Sequence, residues 1–218
     1  MPVERASVLI LAGGRSRRLG QDKVWLMLDG QPLVERVARR VLPIADEIIF
    51  STMAPDRFAD LARSLPVPVQ IVPDQQPGRG PLEGIRAGLA IARCELVLAL
   101  ATDLPFVSLP LLAHMVEIAA GLDAVVPQIH HRHSGVLALE PLHALYRRSC
   151  LPAIAARLAV GDNVAYSFLD DVRARHLCPE EIQAFDPDFL SFFNVNSPDD
   201  WREALRLASV TRDRCANG

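Results

Sequence analysis

The residues best equipped for chemistry crowd into one stretch, Leu11-Ala-Gly-Gly-Arg-Ser-Arg-Arg-Leu-Gly-Gln-Asp-Lys23. Gly13 and Gly14 let backbone N–H groups close on an anion, and Arg15, Arg17, Arg18 and Lys23 bring four positive charges within nine residues. Glycine pair and charge together suit a triphosphate. Neither G-x-G-x-x-G nor the Lys-Ser/Thr ending of a P-loop is present, so the stretch is a phosphate cradle of another kind or an exposed basic turn. Lys23 is the only lysine among 23 basic residues. Keeping one ammonium in an arginine-rich chain fits a task that a planar guanidinium performs poorly.

Two carboxylates stand in comparable loops. Asp103, in Ala101-Thr-Asp-Leu-Pro105, could hold Mg²⁺ against phosphate oxygens or cap the helix that follows Pro105. Asp74 precedes the Pro/Gly-rich run Gly78-Arg-Gly-Pro-Leu-Glu-Gly84. It could accept from the N1 and N2 donors of guanine, or serve as a turn residue. His130-His131-Arg132-His133 lacks the spacing that converges on one metal ion and reads as a solvated loop. No G-x-S-x-G, H-E-x-x-H or kinase motif set is present, so nucleophilic-serine and zinc-hydrolase chemistry have no anchor.

These loops need elements that hold them on one edge. Val8 to Ala12 is a short aliphatic run stopped by glycine, the pattern of a strand buried on both faces. Strands are expected also at Glu47 to Phe50, Val69 to Val72 and Glu95 to Leu100. They alternate with helices at Pro32 to Leu42, Pro55 to Leu65, Leu82 to Arg93 and Leu109 to Ala120. Four βα units in about 100 residues predict a parallel, doubly wound sheet, whose ligands bind beyond the strands' carboxyl ends. Further on, strands are expected at Ala124 to Val126 and Gly135 to Leu139, and helices at Leu142 to Leu158 and Trp201 to Ala208. Ser197 can cap the last helix and Pro198 can take its first turn. A single domain over residues 1–210 with a frayed polar tail, 211–218, accounts for the length.

Composition excludes several classes. The longest aliphatic run, Leu96 to Ala101, has six residues, against roughly 18 or more for a membrane span. The apolar stretch near the N-terminus is too short for a secretory signal, and a cytoplasmic protein without membrane association is expected. Cys94, Cys150, Cys178 and Cys215 show no C-x-x-C spacing and read as incidental thiols. A net charge of -3 and a pI of about 6.1 supply no broad field for a nucleic-acid partner.

Taken in order, Leu11 to Lys23, Gly-Pro-Leu-x-Gly-Ile (Gly80 to Ile85), Asp-Leu-Pro (Asp103 to Pro105), Pro-Leu-His-Ala-Leu-Tyr (Pro141 to Tyr146) and Phe-x-Asn-Val-Asn-Ser-Pro-Asp-Asp (Phe192 to Asp200) resemble the molybdenum cofactor guanylyltransferase (MobA) family. The first loop has the Gly-Gly form of GTP users, where CTP-using relatives look like Leu-Ala-Ala-Gly. The resemblance implies an α/β, Rossmann-like three-layer nucleotidyltransferase fold with a mostly parallel central sheet. It implies transfer of GMP from GTP to molybdopterin with release of pyrophosphate, Mg²⁺ as cofactor, and transient contacts with other cofactor-biosynthesis proteins. By matching position it implies nucleotide contacts from Leu11, Ala12, Gly13, Gly14, Lys23, Ser51, Asp74 and Asp103. Catalytic roles fall to Lys23, Arg18 and Asp103, metal binding to Asp103, and the acceptor side to Asn194 and Asn196.

The chain departs from the family at Ser51-Thr52-Met53, where an Asn is usual, at a longer Gln128 to Leu139 stretch, and at Asn163, where an Arg is common. Two alternatives stay open at this level. One is a sibling enzyme acting on a sugar-1-phosphate or another cofactor phosphate. The other is a nucleotide-binding protein without turnover.

Overall fold

The structure, a computed structural model, describes residues 5–13, 22–73, 80–132 and 134–216, with side chains described as far as Ser209. Its elements in chain order are β1 (Ala6–Leu11), β2 (Met27–Leu28), β3 (Gln31–Pro32), α1 (Leu33–Val41), β4 (Ala45–Thr52), α2 (Ala59–Ser64), β5 (Val69–Pro73), α3 (Pro81–Ile91), β6 (Leu96–Ala101), α4 (Leu109–Glu117), β7 (Ala124–His130), β8 (Leu137–Leu139), β9 (His143–Arg147), α5 (Leu151–Ala159), β10 (Ala174–Leu177), α6 (Pro179–Gln183) and α7 (Pro198–Ala216). The main sheet runs β10-β7-β9-β6-β1-β4-β5, with β8 paired to β7. Along that order every strand is parallel to β1 except β9, which is antiparallel to both β6 and β7. The expected mostly parallel α/β architecture is thus present.

Alternation along β1 divides the core. Val8 and Ile10 face α1, α2 and α4, packing on Val34, Val37, Leu61 and Leu112. Leu9 and Leu11 face α3 and α5, packing on Leu82, Ile85 and Ile154. Both faces are apolar because helices cover both, which is why the strands read as unbroken aliphatic runs. At the amino end of the parallel strands a buried carboxylate, Glu47, is satisfied by Ser7 Oγ at 2.7 Å, the Arg93 N–H at 2.6 Å and Gln70 Nε2 at 2.8 Å. It ties β1, β4 and β5 together far from the functional loops.

Two expectations fail here. The helix expected over Leu142 to Leu158 begins only at Leu151, because His143 to Arg147 forms β9. In β9, Leu145 packs into one face of the core and Ala144 and Tyr146 into the other, so the segment is apolar on both sides and lacks the alternation that would betray a strand. The last helix is also longer than expected and continues to Ala216, through most of the segment read as a frayed tail. Between Ser209 and Ala216 no glycine or proline interrupts the chain, so the helix propagates. The capping expectation holds: Ser197 Oγ accepts the Asp200 N–H at 3.1 Å while Asp200 Oδ2 accepts the Ser197 N–H at 2.9 Å.

His143 is fully buried, and among the described residues neither ring nitrogen has a hydrogen-bond partner. Burial pushes its imidazole down to about 3. Between about pH 3 and the unfolded value near 6.5 the unfolded chain therefore binds the extra proton, and stability falls as pH drops through that window, by at most about 1.4 kcal/mol per pH unit. His143→Leu should flatten this part of the stability–pH curve while leaving stability at pH 7 equal or higher, because a buried unpaired polar group is removed. Denaturant titrations at pH 4, 5, 6 and 7 measure it; an unchanged slope would contradict the assignment.

Candidate active site

The site lies where β1 and β6 end side by side. Their parallel register pairs Leu11 with Ala101, and the Thr102 N–H donates to the Leu11 carbonyl at 3.3 Å. Lys23 and Asp103, 80 residues apart in sequence, meet here. Lys23 opens a single 3-10 turn (Lys23–Trp25) that is capped by Asp22, whose carboxylate accepts the Val24 N–H at 3.3 Å. Asp22 is held in turn by an ion pair with Arg57, and the Arg57 guanidinium lies 5.3 Å over the Trp25 ring. This bracing directs the Lys23 ammonium at Asp103, with which it forms an ion pair, and at Asn196 Oδ1, 2.7 Å away. The two charged side chains are only 12% and 17% exposed, so water screens them weakly.

The Asn-bearing segment closes the other side. The Val195 N–H donates to the Asp103 carbonyl at 3.1 Å, which runs this segment beside the loop after β6. With its amide nitrogen turned toward the carboxylate, Asn194 donates to Asp103 Oδ2 at 2.5 Å and Oδ1 at 3.1 Å. Asn196 is fixed by the cap of α7, its N–H donating to Asp200 Oδ2 at 3.0 Å. Four of the residues expected from sequence, Lys23, Asp103, Asn194 and Asn196, thereby form one hydrogen-bonded cluster. The helix-capping alternative for Asp103 is removed, since Ser108 caps α4 by accepting the Leu111 N–H at 3.4 Å.

Leu11, Ala12, Gly13 and Ser51 sit at the adjacent ends of β1 and β4, where the Ala12 N–H donates to the Ser51 carbonyl at 2.8 Å. Helix α3 presses close against this floor. A Cβ on Gly84 would lie 2.7 Å from Leu11 Cδ2 and 3.2 Å from Ser51 Oγ, so a side chain there would have to push the Leu11 methyl aside. Gly80, just before α3, has φ +72°, and Asn163 from the turn after α5 lies against it. Gly14, Arg18 and Asp74, together with Arg15, Arg17 and His133, lie outside the described residues.

Sequence reasoning missed Glu140. It precedes β9 in the segment running beside Ala101, whose N–H donates to the Leu142 carbonyl at 3.0 Å. Burial and then the charge of Asp103 push its carboxyl up to about 7. The only sequence signal was a lone acidic residue opening the apolar Pro141 to Tyr146 element. The histidine-rich stretch runs from the end of β7 into the exposed turn of a hairpin with β8, consistent with a solvated loop, and His131 Nε2 lies 3.9 Å from Glu140 Oε1. Among the described residues no group of three or more His, Cys, Asp or Glu side chains could hold a metal, so an ion at Asp103 would complete its shell with phosphate oxygens and water. A carboxylate flanked by amides and an ammonium fits that mode of binding.

No helix among the described residues is long and apolar enough to cross a membrane. Gly84→Ala should cost about 1–3 kcal/mol of stability by overpacking, and it should raise the nucleotide KM by displacing Leu11 and Ser51. Thermal melts with and without GTP check this; a variant with unaltered melting and KM would show that the close approach is dispensable.

Comparison with known proteins agrees with this geometry. The family described as MobA-like NTP transferase domain matches residues 8–177. A molybdenum cofactor guanylyltransferase of Burkholderia cenocepacia is 36% identical over 207 residues, 92% of this chain and 94% of that protein. One from Desulfosudis oleivorans is 32% identical over 198 residues, 90% and 92% of the two chains. Among solved structures, molybdopterin-guanine dinucleotide biosynthesis protein A from Archaeoglobus fulgidus superposes with a TM-score of 0.76 at 28% identity, covering 93% of this chain and 98% of that one. The 2-C-methyl-D-erythritol 4-phosphate cytidylyltransferase of Thermus thermophilus shares the fold, with a TM-score of 0.67 at 20% identity, covering 94% and 99%. The chain is a nucleotidyltransferase and belongs to the MobA-like NTP transferase family.

Proposed function

We propose that this enzyme transfers GMP from GTP to molybdopterin, releasing pyrophosphate. The observation that carries the reading is the cluster of Lys23, Asp103, Asn194 and Asn196 at the carboxyl edge of β1 and β6, in a chain matching guanylyltransferases over nine-tenths of its length. Residues 1–210 act as one domain, and the substrates place the reaction in the cytoplasm. Transient contact with other cofactor-biosynthesis proteins fits an enzyme whose product must be handed on.

An acceptor phosphate oxygen must attack the α-phosphorus of GTP while the bond from that phosphorus to the bridging oxygen breaks and pyrophosphate leaves. No covalent enzyme intermediate is required, so catalysis is positioning and charge neutralisation. Backbone groups of Leu11, Ala12, Gly13 and Gly14 hold the nucleotide, with Ser51 beside the ribose or base. Asp74 accepts from the guanine N1 and N2 donors. Arg18 and Lys23 neutralise the triphosphate, and the Lys23 ammonium follows the charge developing on the leaving oxygens. Asp103 would hold Mg²⁺, which when bound supplies Lewis-acid polarisation of the phosphates. Asn194 and Asn196 orient Asp103 and Lys23 and face the acceptor.

Lys23→Ala should lower kcat/KM about 10²-fold or more, the usual cost of removing one preorganised charge. Asp103→Asn should fold normally and bind some GTP, yet lose Mg²⁺-dependent transfer almost entirely; pyrophosphate release with molybdopterin as acceptor is the assay. Wild-type rates in either variant would sink the site assignment. Asp74→Asn should relax the preference for GTP over ATP, because adenine sets an acceptor at N1 against a carboxylate. Competition kinetics between the two nucleotides measure this, and equal use of both by the native enzyme would remove the role.

A further inference from the structure

Transfer brings two anions together, yet among the described residues the cations at this edge are largely engaged. Lys23 is held by Asp103 and Asn196, Arg57 by Asp22 and Trp25, and Arg36 donates to the Pro105 carbonyl at 3.1 Å. On the acceptor side stand two carboxyls, Asp103 and Glu140, which would repel an incoming phosphate.

The β7–β8 hairpin answers this. Its tip is ordered by its own backbone: the His131 N–H donates to the Val136 carbonyl at 2.9 Å, and the Gly135 N–H donates to the His131 carbonyl at 2.7 Å. The hairpin touches two flanks of the site. His131 faces Glu140, and the Arg132 guanidinium lies 5.0 Å over the Phe193 ring, one residue before Asn194. Among the described residues Arg132 has one further contact, Nη2 to Glu203 Oε1 at 3.8 Å, but Glu203 is already taken by Arg206 through two bonds of 2.8 Å. So long and exposed a contact contributes little, and the 59% exposed guanidinium keeps its fork of donors for another anion.

We propose that the β7–β8 hairpin is the acceptor wall of the active site, with Arg132, flanked by His131, binding the acceptor's phosphate. This rests on the guanylyl-transfer reading, which supplies a phosphate monoester as acceptor. The Phe193 ring holds the guanidinium in place before the ligand arrives, which lowers the ordering cost of binding.

The test is steady-state kinetics with GTP and molybdopterin for the native enzyme, Arg132→Gln and Glu203→Gln, together with calorimetric titration of methyl phosphate into each protein loaded with a non-hydrolysable GTP analogue. Arg132→Gln should raise the acceptor KM and weaken methyl phosphate about tenfold or more, the loss expected for one charge-assisted contact, with the GTP KM and kcat within about twofold. Glu203→Gln should leave all of these unchanged. An unaltered acceptor KM or methyl phosphate affinity in Arg132→Gln overturns the proposal, as does a Glu203→Gln variant that reproduces its defect, which would make Arg132 a clamp on α7. If the native enzyme makes no transfer to molybdopterin, the functional reading fails, while the methyl phosphate titration still decides the role of Arg132.

Discussion

Everything at the site depends on the parallel pairing of β1 with β6. Parallel strands end at the same edge of a sheet, so the loop after β1 and the loop after β6 emerge side by side although some 80 residues separate Lys23 from Asp103. An antiparallel pairing of these strands would send Asp103 to the opposite end. The hydrophobic terms that build the sheet, with Val8 and Ile10 packed on one layer and Leu9 and Leu11 on the other, are therefore also what bring an ammonium and a carboxylate into contact.

The two ends of the sheet treat buried charge differently. At the amino end, Glu47 is surrounded by donors from β1, β5 and the chain after α3. At the carboxyl end, charge is gathered and left partly open to water. Asp103 is balanced by Lys23 and an amide, whereas Glu140 nearby, with the His131 ring 3.9 Å away, is pushed up to about 7 by burial and by Asp103. A fold keeps such an uneven arrangement only where a ligand completes it, since an uncompensated buried carboxyl costs stability.

How much of this was legible follows from how each part is encoded. The parallel strands were readable because burial on both faces demands continuous aliphatic runs. The same burial on both faces hid β9. A strand inserted between β6 and β7 is apolar all round, so His143 to Arg147 carried no period-two signal and merged with the helix that follows. Glu140 and Arg132 were illegible for a different reason. Their meaning lies in neighbours far along the chain, Asp103 for one and Phe193 for the other. Asn194 and Asn196 became readable through family resemblance, and their hydrogen bonds to Asp103 and Lys23 supply the physical reason for their spacing: alternate residues of an extended segment face the same side.

That contrast separates the site into two halves with different freedom to vary. On the proposed nucleotide side, Leu11 and Ser51 lie buried under α3, and a Cβ at Gly84 would press on the Leu11 methyl, so change there is felt in the core packing. On the proposed acceptor side, the tip of the β7–β8 hairpin extends beyond the carboxyl end of β7, where exposed His131 and Arg132 meet the rest through Glu140, Phe193 and Glu203. Its length and charge can alter at little cost to the core, as surface connections generally can. Gln128 to Leu139, one of the stretches where the sequence departs from the family pattern it resembles, spans that hairpin, while Ser51-Thr52-Met53 departs on the opposite side of the site. A nucleotidyltransferase that holds its triphosphate on a rigid floor and meets its acceptor with an adjustable arm can change acceptor without rebuilding the chemistry.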